Sequence, residues 1–537
     1  LERKHKTSIE LERYKARMTL IKRLNKLGVL KEKYLFGLVI LLSISPFLGV
    51  TFVPSLDGPA HLYNSNLILE LLEENDFISR FYSLTSSPNP NLTGHVFLSF
   101  LLLIFPAFLA EKILLIFYVV GFAYFFRKLI LVQNSKGVWL TYLAFPFIYS
   151  FVFALGFYNF SLGIVFLLWG LYFWIKNEKK KLNTPELATL FFLFTLTFFS
   201  HIFVYAVLIL VVCTRLLFSF FKTNPRISAT RKLKEFSFSS IVSIGLFIFY
   251  FASRPIAHNS THKSLITLME DIFTFNPLVS YSKGRESVFL ALVGCVILYL
   301  LALVFRAKKK KWSKENLVKD SWLILSLFLF IAYFILPDSN SLGGFINTRV
   351  ALVFYLLLII WIGIHHLANK LIIPAIVILL FAHYQLVDYY SHCLKNLNEV
   401  AEHCHEMEEH IEENNVVIPL HFSGDWMKGH FSNYLGIEKP LVILDNYEAV
   451  NDYFATEWNW EYVGEELYKN MSVNNFNCLN KFSYVNQERL GQVYIFILGD
   501  IESQKDPCII DKKEEINKYF YPVAKNKHCS LYRMKKS

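Results

Sequence analysis

Charge is scarce in this 537-residue chain: Asp, Glu, Lys and Arg make up 18% of it, against 54% apolar residues and 52 phenylalanines. That balance excludes an ordinary soluble enzyme of this length. The Gly-rich phosphate loops, the GxSxG nucleophile turn and the HExxH zinc pair are all absent, so an ATP-driven pump and a serine hydrolase have no support. The long apolar runs do not alternate, which excludes a transmembrane barrel. Cysteine is sparse, with seven residues, no CxxC spacing and an odd count that argues against a complete disulfide framework. Cys213 and Cys295 lie in apolar runs and read as packing residues, while Cys478, Cys508 and Cys529 can pair if the tail faces an oxidising compartment. There is no internal repeat and no low-complexity tract.

What remains is a series of runs near the roughly 20 residues that cross a bilayer as a helix. Only helices and closed barrels satisfy backbone polar groups in lipid, so the expected class is an all-α polytopic membrane protein. The net charge of +11 sits in the N-terminal segment and a few short loops. This is the positive-inside pattern of a membrane topology, not a nucleic-acid surface. The basic segment 1–33 is placed in the cytoplasm. A first span at 34–53 carries no cleavage pattern and reads as an anchor, delivering a first external loop, 54–110. Within that loop, 95–109 is short and interrupted by Pro106. Treating it as interfacial keeps Arg127, Lys128 and Lys179–Lys181 inside.

About eleven spans then fill a membrane domain over 34–387: 34–53, 111–131, 138–154, 158–175, 187–200, 203–221, 236–252, 288–306, 321–336, 349–367 and 371–387. The tail, 388–537, changes character. A charged helical stretch at 389–415 precedes the strand-like runs Val416–Ile418, Leu441–Leu444, Val493–Leu498 and Leu531–Arg533. A small C-terminal extracytoplasmic α/β or α+β domain is expected.

The informative polar residues collect on one side of this topology. Asp57 follows the first span in Pro54-Ser55-Leu56-Asp57-Gly58-Pro59-Ala60-His61. It suits the N-cap of a helix with Pro in its first turn, and equally a general base or metal ligand. His61 lies at i+4 on the same helical face, with Tyr63 and Asn64 adding polar capacity. His95, and Asn159 in Gly156-Phe157-Tyr158-Asn159-Phe160, fall at the same boundary and suit a turn or a sugar hydroxyl. His201 interrupts an apolar stretch at a turn between two spans. Arg254 and Arg349 sit at the same ends of spans, where head-group snorkelling competes with clamping a phosphate in a guanidinium fork. Arg349 has Gly343, Gly344 and Asn347 beside it; Arg254 shares its loop with His258, His262 and Lys263. Glu70 and its acidic neighbours read as a solvated helix face. So does the stretch from His403 to His410, which lacks a second ligand pair at metal spacing.

A cytoplasmic N-terminus, one span and an outer loop opening on an Asp resemble the integral-membrane glycosyltransferases of the GT-C fold. Asp57–His61, Gly156–Phe160, His201 and Gly343-Gly344 with Arg349 look similar to largely uncharacterised bacterial members. The resemblance implies a polyprenyl-phosphate-linked sugar as donor, a glycan, lipid or protein acceptor, and a place in the inner membrane with the tail outside. By analogy Asp57 is the catalytic or acceptor-activating carboxylate, and Arg349 or Arg254 the ligand of the donor phosphate. Many relatives carry a paired acidic motif, whereas this chain offers one Asp and a His. No cofactor follows with certainty, and a divalent metal stays open. The alternatives are a transporter or flippase of a lipid-linked substrate, and a non-catalytic envelope assembly protein. The first is disfavoured by the near absence of Asp, Glu, Lys and Arg from span centres. The second would use tail aromatics such as Trp426, Trp458 and Trp460 for contact.

Overall fold

The computed structural model describes residues 31–220, 226–254, 260–308, 316–340, 343–463 and 490–535. Residues 1–30, His258 and Cys478 lie outside them. Helices are numbered in chain order from α1, residues 31–48. The loop after it carries α2 (Gly58–Leu72), α3 (Ile78–Phe81) and α4 (Thr93–Leu102). The bundle continues with α5 (Ala107–Gln133), α6 (Phe151–Ala154), α7 (Tyr158–Lys176), α8 (Thr184–Ser200), α9 (Ile202–Phe220) and α10 (Arg226–Ala252). It closes with α11 (Leu265–Phe273), α12 (Lys283–Lys308), α13 (Asn316–Ile335), α14 (Ile346–Gly363) and α15 (Asn369–Glu406).

Among the described residues, eight helices are long and apolar enough to cross a membrane: α5, α7, α9, α10, α12, α13, α14 and α15. α8, at 17 residues, is just shorter. The stretch expected as a helix over 138–154 differs. It is a 3-10 helix, Trp139–Phe147, followed by α6. Pro146 removes a backbone donor, and Ser150 starts a new helix by accepting from Phe153 N at 3.3 Å. Such irregular backbone is tolerated at membrane depth because it is enclosed by protein: Leu140 to Ser150 are all buried, packed by α5, α14 and α15. α4 has only ten residues, roughly 15 Å, and cannot span. Val96, Phe100, Leu103 and Ile104 leave one apolar flank of it uncovered, as an interfacial helix requires.

α15 runs unbroken for 38 residues, about 57 Å at 1.5 Å per residue, nearly twice a hydrocarbon core. The boundary expected at 387/388 therefore falls inside one helix, which carries the tail domain on a rigid stalk. That domain is a mixed five-stranded sheet of order β3-β2-β5-β7-β6. β2 (Asn415–Phe422) is parallel to β3 (Leu441–Ile443) and β5 (Val493–Gly499), and β7 (Cys529–Met534) is antiparallel to β5 and β6 (Phe520–Lys525). All four strand-like runs of the tail lie in this sheet.

The first loop joins the two parts. β1 (Tyr82–Leu84) pairs antiparallel with β4 (Thr456–Trp458), and the rings of Tyr82 and Trp458 stack at 4.2 Å. α2 is sandwiched, with every residue from Gly58 to Ile68 buried. Tyr63 donates to Leu441 O at 2.7 Å and accepts from Ile443 N at 3.1 Å. Asn64 and Asn446 exchange amide hydrogen bonds at 2.9 Å, and Thr456 Oγ1 donates to Asn64 Oδ1 at 2.6 Å. Tyr63 and Asn64 thus spend their polar atoms docking the tail domain. Tyr63→Phe strands a buried carbonyl and a buried N–H, and should destabilise the docked state by about 1–3 kcal/mol. A lowered thermal midpoint and faster proteolysis between the domains would show it.

Candidate functional site

Several helix ends supply one site: Asn159 is in the first turn of α7, His201 lies between α8 and α9, Tyr250 is in the last turn of α10 and Arg349 in the first turn of α14. The polar ends converge on a cavity of about 200 Å³ lined by Asp57, His61, Asn159, His201, Gly343, Gly344, Arg349, Tyr250, Tyr447, Tyr453 and Phe454.

Asp57 precedes α2 but its side chain does not cap it. Ser55 Oγ accepts from Gly58 N at 3.1 Å in its place, and Asp57 N donates to Leu155 O at 2.9 Å. That close approach requires Gly156, at φ +84°, because a Cβ there would sit 2.5 Å from Ser55 Oγ and 2.7 Å from Gly58 N. The Asp57 carboxylate is free to face the cavity, which Tyr447 also lines, and His430 Nε2 lies 3.7 Å away. Burial raises its pKa to about 7; His61, Tyr447 and Arg349 pull against that rise, and Glu448 adds to it.

Arg349 is in the first turn of α14. Its Nη1 donates to His201 Nε2 at 3.2 Å, and its guanidinium lies 4.6 Å from the Phe157 ring centre. No ion pair among the described residues neutralises it, and its Nε has no hydrogen-bond partner. His201 is the extended residue between α8 and α9, packed edge-on to Phe160. Burial, then Arg349, pushes its pKa well down, so the ring is neutral with Nδ1 unpartnered. The cavity therefore pairs a carboxylate able to take a proton near neutral pH with an uncompensated guanidinium.

Behind Asp57 lies a buried triad. His61 Nδ1 is 2.6 Å from Glu448 Oε1, His95 Nε2 is 2.7 Å from Glu448 Oε2, and the two ring nitrogens are 3.3 Å apart. The outward nitrogen of each ring faces a backbone carbonyl: His95 Nδ1 lies 3.1 Å from Asn91 O, and His61 bonds to Gly156. A carbonyl only accepts, so each neutral ring carries its proton there and aims a lone pair at the carboxylate. Three lone-pair ligands converging in this way need protons or a cation, and an outward N–H on a backbone carbonyl is the usual support of a metal-binding histidine. These residues could hold a divalent metal. Without one, burial opposes the charge on Glu448, but His95 and His61 outweigh it and hold its pKa at about 2.

The structure brings Asp57, His61, Asn159, His201 and Arg349 to one cavity, with His95 directly behind. Asn159 also fixes α4, its Oδ1 accepting from Gly94 N at 2.6 Å. Arg254 does not line the cavity. It donates to Asn89 Oδ1 at 3.1 Å and Asp452 O at 2.9 Å and stacks on Tyr250, pinning the 445–454 segment. Lys263 pairs with Asp271 and Asp338, and Glu70 accepts from Asn75. Sequence reasoning missed Tyr447, Glu448, Tyr453 and Phe454. A signal existed: Asp445-Asn446-Tyr447-Glu448 follows the carboxyl end of a strand-like run, where α/β sheets place ligands.

No family profile and no curated protein matches this chain. Solved structures do. The crystal structure of ArnT from Cupriavidus metallidurans in the apo state superposes with a TM-score of 0.52 at 10% identity, covering 93% of this chain and 97% of that one. The same protein bound to undecaprenyl phosphate gives 0.52 at 9% identity, covering 94% and 98%. The chain has the GT-C fold, in a multi-pass membrane protein.

Proposed function

We propose that this GT-C-fold chain is a glycosyltransferase moving a sugar from a polyprenyl-phosphate donor to a cell-envelope acceptor. The observation that carries the reading is the shared cavity of Asp57 and Arg349, the one uncapped and the other without an ion pair, at the mouth of an apolar bundle. Undecaprenyl phosphate bound to ArnT supports the donor class. The acceptor is proposed from the open cavity alone, as a hydroxyl-bearing glycan, lipid or protein.

In this reading the acceptor oxygen attacks the anomeric carbon while its proton passes to Asp57. The bond from that carbon to the phosphate oxygen breaks, and the phosphate leaves with the electron pair. Arg349 neutralises the departing phosphate through its fork. Neutral His201 accepts from Arg349 and keeps its Nδ1–H to donate. Asn159, Tyr250 and Tyr453 supply the polar walls that orient the sugar.

Lys128, Lys136, Lys176, Lys179–Lys181 and Lys308 lie at span ends remote from the cavity. By the positive-inside rule this distribution supports a reading in which the cavity and the tail domain face outward from a cytoplasmic membrane. A divalent cation of the imidazole- and carboxylate-binding kind, such as zinc, fits His61, His95 and Glu448; it would add positive charge beside Asp57 and tie the tail to the first loop. Metal analysis of purified protein should find close to one equivalent, and Glu448→Gln should lose it. Equal metal content in wild type and variant would remove the metal from the reading. The transferase itself is tested with reconstituted protein and a polyprenyl-phosphate-sugar: no transfer to any hydroxyl acceptor, with folding intact, would end it.

A further inference from the structure

We infer that Cys404 and Cys529 are joined by a disulfide that ties the tail sheet covalently to the membrane-rooted helix α15. The inference shares the proposed outward orientation of the tail but not the proposed chemistry.

Cys404 lies in the last turn of α15, and Cys529 opens β7, 125 positions further along the chain. Their sulfurs are 3.4 Å apart, and both residues are buried. The meeting is built in by the segments around it. Asn526, in the turn between β6 and β7, donates from Nδ2 to His403 O at 2.8 Å and accepts at Oδ1 from Cys529 N at 2.9 Å. Lys527 reaches Glu399 at 2.6 Å, and the His403 and His528 rings lie 5.1 Å apart. One amide side chain thus clips the turn to the helix and fixes both cysteine backbones.

A bond of about 2.05 Å needs each sulfur to move by about 0.7 Å, a modest side-chain rotation. Metal ligation does not account for the pair, since no His, Asp or Glu joins the two sulfurs in a ligand cluster among the described residues. Cys508 in the same domain is already disulfide-bonded, so this part of the chain is suited to an oxidising compartment. The step is a two-electron oxidation: two S–H bonds are lost and one S–S bond forms. The electrons and protons pass by thiol–disulfide exchange to a disulfide-bearing oxidoreductase, reduced in turn to its dithiol.

The position gives the bond a purpose. β7 pairs with β5, β5 with β2 and β2 with β3, and the chain after β3 leads to Tyr447 at the cavity wall and to Glu448 behind it. Closing a loop of this length restricts the unfolded chain and holds the sheet on its stalk.

The test uses full-length protein in native membranes, alkylated without reductant, digested and examined by mass spectrometry. The expected result is a Cys404–Cys529 cross-linked peptide pair two hydrogens lighter than the sum of its thiols. Cys404→Ser should leave Cys529 alkylatable and lower the thermal midpoint. The double variant with Cys529→Ser should fall no further, as for two ends of one bond. Both thiols alkylated while Cys508 stays oxidised would overturn the bond and leave the orientation standing. Cys508 reduced as well would overturn the bond and the outward orientation together. Neither result bears on sugar transfer, which is assayed separately.

Discussion

Asp57→Asn should lower sugar transfer by about 10²–10⁴-fold, the range of a lost general base, while the protein stays folded and still binds donor. The substitution keeps the shape and the Tyr447 contact but removes the atom that takes the proton. Because Ser55, not Asp57, caps α2, the helix loses no cap, and the thermal midpoint should fall little if at all. The sign of the pH dependence follows from burial. A pKa raised to about 7 leaves Asp57 protonated, and useless as a base, below neutrality. Transfer by wild type should therefore rise with pH and level off above about 7, and the variant should lose that rise. The same shift opposes stability: between the ordinary carboxylate range and 7 the folded state holds the extra proton, so this group's contribution to stability falls as pH climbs. A wild-type rate independent of pH between 5 and 8, or an Asp57→Asn variant with full activity, would remove Asp57 from the chemistry.

Arg349→Ala should cost about 10²–10³-fold in transfer, on the scale of removing one donor from a developing anion. It should also raise the donor's apparent KM, because the same guanidinium meets the phosphate before and after bond breaking. Arg349→Lys keeps the charge and loses the fork, so it should recover only part of the rate. The readout that separates binding from packing is inhibition by polyprenyl phosphate without a sugar. That should weaken in Arg349→Ala and stay unchanged in Arg254→Ala, since Arg254 is engaged with Asn89 and Asp452 outside the cavity. Equal weakening in both variants would argue for a diffuse surface charge in place of a phosphate clamp.

The two arginines show where sequence reading stopped. Both sit at the same ends of spans, and hydropathy treats them alike. What differs is the company each keeps: Arg349 meets a neutral histidine and two phenyl rings, Arg254 an aspartate from the tail 198 positions away. Tyr63 and Asn64 show the same limit in reverse. They are neighbours in α2 whose role is not visible in the sequence, and the tail domain claims their polar atoms. The run 138–154 was apolar enough to pass for a helix, yet Pro146 and Ser150 divide it, and protein packing on all sides makes that division tolerable.

The sequence by itself determined the membrane class, the strand runs of the tail and the nearness of Asp57 to His61, which line one cavity. These follow from composition, local periodicity and i+4 spacing, all short-range properties of the chain. Only the tertiary structure decided that Glu448 completes a triad with His61 and His95, that Tyr447 meets Asp57, and that Cys404 faces Cys529. Those contacts join residues 353, 390 and 125 positions apart. Buried charge and lone pairs must be satisfied wherever the chain can supply partners, and which partners arrive is set by how the tail docks on the first loop.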